Sequence, residues 1–166
     1  MAEVAFDTES TPIKVNSLLL PLHNMELLVP QLSVAEVVSL SDVWPRVLSE
    51  NPECYGWIKW REQSIPLLSF EGICHEQKPE LKEGFKVVIC NAVFGAVQLG
   101  FYGLVLTNFP RSIHLGAEDA MHYEATTSGQ GVKMFVNIKE GDQAIIPDFT
   151  FLEEHVLKIV EQKKTT

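Results

Sequence analysis

The chain has 166 residues, a mass of 18.6 kDa and a formal charge of −9 at pH 7, a size that buries more than half of its unfolded surface in one ordinary core without metal or disulfide support. Its 46% apolar and 21% charged fractions exclude global disorder, and the acidic balance, with Arg111, Lys158, Lys163 and Lys164 scattered, excludes nucleic acid and anionic membrane as expected partners. Cys54, Cys74 and Cys90 form no C-x-x-C pair and are odd in number, which fits reduced thiols in a cytosol.

Residues 1–16 are polar and acidic, with Pro12 near their end, and read as a flexible tail. They hold no basic region leading into an apolar stretch, so a cytoplasmic protein is expected. No apolar run approaches the ~20 residues of a membrane span, so no membrane insertion is expected. From residue 17 onward, short apolar runs recur at 18–22, 27–32, 36–40, 55–60, 65–70, 85–90, 95–100, 104–107, 134–138 and 143–146. Gly, Pro, Asn or Asp bound them, which predicts an all-β domain of about ten strands. Asn24-Met25 and Gly141-Asp142 read as hairpin turns. Pro21, Pro30, Pro66 and Pro147 fall in or beside strands, where a missing N–H is tolerated only at edges, bulges or strand ends. A curled, bulged barrel therefore suits the chain better than a flat sheet.

Two helices are predicted. Ser41 or Asp42 can cap a short one within 43–50, which Pro45 confines to a first turn. The second is C-terminal: Thr150 stands three residues before Glu153 as in a capping box, and Leu152, Val156, Ile159 and Val160 follow at helical spacing. That stripe must dock on the domain, and Lys158, Lys163 and Lys164 complement the helix dipole. The acidic, Gly-containing stretch 115–132 reads as a solvated connection.

Catalytic chemistry has little to work with. His23, His75, His114, His122 and His155 lie in separate segments, and Cys74-His75 alone makes no zinc site. The S-G-Q-G loop at 128–131 lacks the lysine of a phosphate loop. Glu118-Asp119 and Glu153-Glu154 are adjacent pairs that point apart, so they read as solvated acidic surface. No catalytic residue, metal or cofactor is expected. What stands out is Glu36 and Arg61, each a lone charge in a β-prone apolar run. If their strands meet they can pair bidentately, although an exposed pair of this kind contributes less than ~1 kcal/mol. An arginine beside Tyr55, Trp57 and Trp60 is also the composition of an interface hot spot. Alternation sets Tyr55, Trp57 and Lys59 on one face and Gly56, Ile58 and Trp60 on the other.

The succession L-L-V-P-Q-L-S-V-A-E-V-V, Y-G-W-I-K-W-R-E-Q-S-I-P-L-L-S-F, K-V-V-I-C, F-Y-G-L-V-L-T-N-F-P-R-S-I and K-M-F-V-N-I-K…A-I-I-P-D resembles a CheW-like domain. That family has V-x-E-[IV] after a hydrophobic strand, then a Gly, an apolar pair, Arg-Gly and a strand [IV]-P-[IV]-[IV]-D-[LF]. Val34, Glu36, Gly56, Arg61 and Ile65-Pro66 fall in the matching places, and the order holds from about Ser17 to Phe149. The resemblance implies two SH3-like five-stranded β-barrels packed on one core, over 17–166 with the C-terminal helix. It implies a non-catalytic adaptor that couples the cytoplasmic tip of methyl-accepting chemoreceptors to the regulatory domain of a histidine autokinase, with no cofactor. Val34 falls on the receptor-groove strand, Glu36 and Arg61 at the charged pair beside it, and Gly56 at a turn between the barrels' strands. Glu62 stands where the family has Gly, and Ser69 and Thr107 where it has Asp. The chain is similar to the accessory ChpC-type proteins of chemosensory pili systems, which control twitching motility. The alternative is a small-ligand-binding β-barrel, which predicts a closed cavity of several hundred Å3.

Overall fold

The computed structural model describes residues 15–74, 76–94, 97–115, 120–124, 130–138 and 143–164. Along them run β1 (Val15–Pro21), β2 (Glu26–Pro30), β3 (Val34–Ser39), β4 (Cys54–Trp60), β5 (Gln63–Leu68), α1 (Phe70–Ile73), β6 (Lys86–Asn91), β7 (Phe101–Leu106), β8 (Arg111–Leu115), β9 (Ala120–Glu124), β10 (Val132–Ile138), β11 (Gln143–Pro147) and α2 (Phe149–Lys164). They form a six-stranded sheet, ordered β8-β1-β2-β11-β10-β9, and a five-stranded sheet, ordered β3-β6-β7-β5-β4. The expected mainly β fold of two packed sheets with a C-terminal helix is what the chain adopts, with one correction: the first sheet has six strands where five were expected, because β9 adds to its edge.

Chain length forces the first sheet to curl. Its two edges, β8 and β9, are joined by residues 116–119 alone. Five strand spacings of ~4.8 Å would set flat edges about 24 Å apart, whereas the five Cα steps from Leu115 to Ala120 span at most ~18 Å. The second sheet also curls, because side chains of its edge strands β3 and β4 meet across the gap. Three prolines take positions that need no ladder donor: Pro21, Pro30 and Pro147 end their strands.

Curling leaves both faces of the central strands buried, so apolar runs replace alternation. Val88, Cys90, Leu104 and Leu106 face a layer shared with Leu20, Leu27 and Val29 of the first sheet, while Val87, Ile89 and Val105 fill the interior of the second. Leu19, Leu28, Val136 and Ile138 fill the interior of the first. Leu152, Val156 and Ile159 of α2 dock in the shared layer, as their spacing predicts.

Several sequence expectations need correction. The strand expected at 95–100 is a 3-10 turn at Val97–Leu99 in a connection whose base is closed by Ala92 N–H donating to Gly100 O at 2.8 Å. The helix within 43–50 does not form. After a 3-10 turn at Leu40–Asp42, Leu48 bridges to Gly56, and Ser49 N–H donates to Tyr55 O, so this backbone bonds sideways to β4 instead. β1 begins at Val15, so the end of the segment read as a tail is strand; residues 1–14 lie outside the described residues. Within 115–132, read as a solvated connection, β9 pairs with β10. The turn at Asn24-Met25 closes with Leu22 N–H on Met25 O. Gly141-Asp142, Glu118-Asp119, His75 and Ser128 lie outside the described residues.

The capping box at Thr150 is also replaced. The first turn of α2 is capped by Asp148, whose Oδ1 accepts from Phe151 N–H at 3.1 Å, leaving Thr150 inside the helix. Glu153, read as solvated, is fully buried and accepts from the backbone N–H groups of Val93 and Phe94.

Candidate functional site

The site grows from one tight turn. Trp60 pairs with Gln63, so Arg61 and Glu62 alone connect β4 to β5. Both have positive φ, 47° and 63°, as a type I′ turn demands and as only Gly and Asn adopt readily. Glu62 takes this conformation despite its Cβ. The turn carries Arg61 back over the Trp60 ring, its guanidinium carbon 4.5 Å from the ring centroid.

Glu36 supplies the other half. On β3 the register slips between Val34 and Glu36, a bulge at Ala35. Val34 and Val37 then pack on the shared layer, and Ala35 and Val38 on the interior of the second sheet. Glu36 Oε1 accepts from Arg61 Nη2 at 2.9 Å and from Trp60 Nε1 at 3.2 Å. One oxygen takes both bonds, so the bidentate fork expected from the sequence is replaced by an Arg–Glu–Trp clamp. Trp60 is 5% exposed and packs on Phe101, whereas the Arg61 and Glu36 side chains are 64% and 38% exposed. An ion pair so exposed adds little stability; its consequence is geometric, since it ties the edges of the second sheet together and leaves a cation at the rim.

Gly56 lies inside β4, not at the turn that the resemblance implied. A bulge at Tyr55 precedes it, its φ is +136°, and a Cβ there would meet Val47 O at 2.6 Å. Its role is close approach: segment 45–48 lies directly against β4. The same bulge corrects the predicted alternation, because Tyr55 joins Ile58 and Trp60 in the interior. Trp57 does face outward, with Lys163 Nζ of α2 3.8 Å from its ring. The structure thus joins Glu36 to Arg61, keeps Val34 two residues away on the same strand, and sets Gly56 behind the neighbouring loop. Trp60 is the partner missed from the sequence, although its place beside Arg61 was the available signal.

The departures from the family pattern have local answers. Ser69 Oγ accepts from Gly72 N–H at 3.0 Å and so caps α1. Thr107 donates through N–H and Oγ1 to Pro21 O, joining the two sheets.

The hollows are open clefts. One of about 770 Å3 is lined by Val47, Leu48, Gly56, Trp57, Lys59 and Lys163 among others. Another of about 490 Å3 includes Met25, Cys74, Phe135 and Ile145. The sheet interiors are filled by side chains such as Leu19, Leu40 and Leu67, at 1% exposure or less, so the closed cavity of a ligand-binding barrel is not seen among the described residues. Burial pushes the Cys74 and Cys90 thiols up to about 12, which makes them poor nucleophiles at neutral pH. No helix among the described residues is long and apolar enough to cross a membrane.

The CheW-like domain profile matches residues 16–155. The crystal structure of scaffolding protein TtCheW from Thermoanaerobacter tengcongensis matches with a TM-score of 0.66 and 19% identity, covering 86% of this chain and 92% of that one. The second likeness is one of fold. No curated protein compared with the sequence matches it. With the profile running from the first strand into the C-terminal helix, the chain belongs to the CheW-like domain family.

Proposed function

We propose that this protein is a non-catalytic, cytoplasmic signalling adaptor that couples chemoreceptors to a histidine autokinase, in a chemosensory system of the ChpC-type pili class. The observation that carries this reading is the Arg61–Glu36–Trp60 clamp: an exposed cation and carboxylate, held in fixed geometry at a sheet edge of a CheW-like domain. Val34, Glu36 and Arg61 meet the cytoplasmic tip of the receptor, and Gly56 keeps segment 45–48 in place against β4. The kinase regulatory domain docks on a separate surface. Affinity comes from aliphatic burial, and the charged pair governs specificity and association rate.

Arg61→Glu tests this. It sets like charges opposite Glu36 at an exposed place, so circular dichroism should remain native while affinity for a receptor cytoplasmic hairpin falls at least about tenfold. Unchanged affinity in a natively folded variant would sink the assignment.

A further inference from the structure

The connection between β6 and β7 is longer than its geometry requires. Asn91 pairs with Phe101, so residues 92–100 join two strands that a connection of about two to five residues usually closes. The connection's described stretches, 92–94 and 97–100, are rooted. Glu153 of α2, at 0% exposure, accepts from Val93 N–H at 2.9 Å through Oε2 and from Phe94 N–H at 3.0 and 3.1 Å through both oxygens. A buried carboxylate persists only where such donors replace water. The Phe94 ring stacks on Phe149 at 4.4 Å, and the 3-10 turn Val97–Leu99 packs against α2.

Anchored this way, Val93 and Phe94 stay 52% and 45% exposed. Leu32, 88% exposed, is tied to the end of β6 that leads into them, where Asn91 Nδ2 donates to Leu32 O at 3.2 Å. Leu32 lies two residues before Val34, which pairs with Cys90 of the same β6 strand. Single exposed apolar residues are ordinary, whereas a cluster held outward by a buried anchor marks a contact surface.

We infer that Leu32, Val93 and Phe94 form the apolar half of the surface whose charged half is Glu36 and Arg61, and that Glu153 is its positioning residue. This rests on the adaptor reading given above. The occupant is the helical receptor hairpin, because the patch continues through Val34 into the residues assigned to it. Glu153 does not touch the hairpin; it acts through the backbone of residues 93 and 94, and in Glu153→Gln an amide NH2 donor replaces one carboxylate oxygen, so Phe94 N–H loses one of its two acceptors.

The test titrates the cytoplasmic hairpin of a chemoreceptor from the same genome, and separately the kinase regulatory domain, against the full chain and three variants. Leu32→Ser and Phe94→Ala should weaken hairpin binding at least tenfold with kinase-domain binding and circular dichroism unchanged, and Tm unchanged in Leu32→Ser and lowered in Phe94→Ala by loss of the stack on Phe149. Glu153→Gln should weaken hairpin binding similarly and also accelerate amide exchange at Val93 and Phe94. Wild-type hairpin affinity in Leu32→Ser and Phe94→Ala overturns the surface while leaving the adaptor reading intact. Faster exchange in Glu153→Gln without weaker binding overturns the positioning role. An unaltered chain that fails to bind the hairpin overturns both. Should Glu153→Gln not fold, the two exposed variants still decide the surface.

Discussion

Glu36 Oε1 has two donors of different durability. Trp60 Nε1–H lies at the edge of a packed interior and is shielded from water, whereas the Arg61 guanidinium is mostly solvated and screened by salt. The indole bond sets the carboxylate, and the arginine is left available for a partner. The turn beneath them is strained, since a left-handed residue with a Cβ costs roughly 1–2 kcal/mol, and both Arg61 and Glu62 are left-handed. Glu62→Gly should relieve part of this and raise stability by about 1 kcal/mol after the added freedom of the unfolded chain is counted. A urea midpoint that stays put or falls would refute the strain argument. At this scale the charged residues were legible, because a lone Glu and a lone Arg in apolar strands are conspicuous. Their single-oxygen geometry was not, because Trp60 and Glu36 meet only once the sheet has curled.

Among the elements, α2 separates pattern from detail. Its stripe was readable because Leu152, Val156 and Ile159 recur at helical spacing and all three are buried. Its cap was not, since Asp148 and Thr150 are both capping residue types and the backbone path decides between them. Asp148→Ala should therefore cost about 1 kcal/mol, and Thr150→Ala less than about 0.5 kcal/mol. Thermal unfolding of the two variants side by side checks this, and the reverse order would restore the capping box. Strands β8 and β9, R-S-I-H-L and A-M-H-Y-E, escaped notice because each mixes polar and apolar residues. They are the edge strands of their sheet, with one neighbour each, so less of their surface has to be apolar.

At the scale of the molecule, the shared layer makes one cooperative unit of two sheets. Leu152 is 1% exposed between them, so Leu152→Ala should cost about 2–5 kcal/mol, with circular dichroism and tryptophan fluorescence still reporting a single unfolding transition. Two separated transitions would show that each sheet folds alone. The buried Cys90 thiol is raised from 9.0 to about 12, chiefly by desolvation. Its folded pKa lies above the unfolded one, so the neutral thiol favours the native state fully below pH 9. That contribution is lost as pH rises toward 12, by about 1.4 kcal/mol per pH unit. Urea titrations at pH 7.5 and 10.5 should show a decline in the natural chain that is smaller in Cys90→Ala, and equal declines would exclude this thiol as the cause.

The sequence by itself determined what depends on neighbours along the chain: strand-length apolar runs, turn residues between them, the helical stripe of α2, and the family pattern carried by Val34, Glu36, Gly56 and Arg61. Only the tertiary structure decided what depends on residues distant in sequence. The curling of the sheets brought Trp60 to Glu36 across the gap between β3 and β4, and the docking of α2 brought Glu153 to Val93 and Phe94. Bulges at Ala35 and Tyr55 reset which faces point inward. The physical reason is that burial and hydrogen-bond satisfaction are properties of the folded neighbourhood. A glutamate such as Glu153 reads as solvated until the chain closes around it and supplies the N–H groups that let it stay buried.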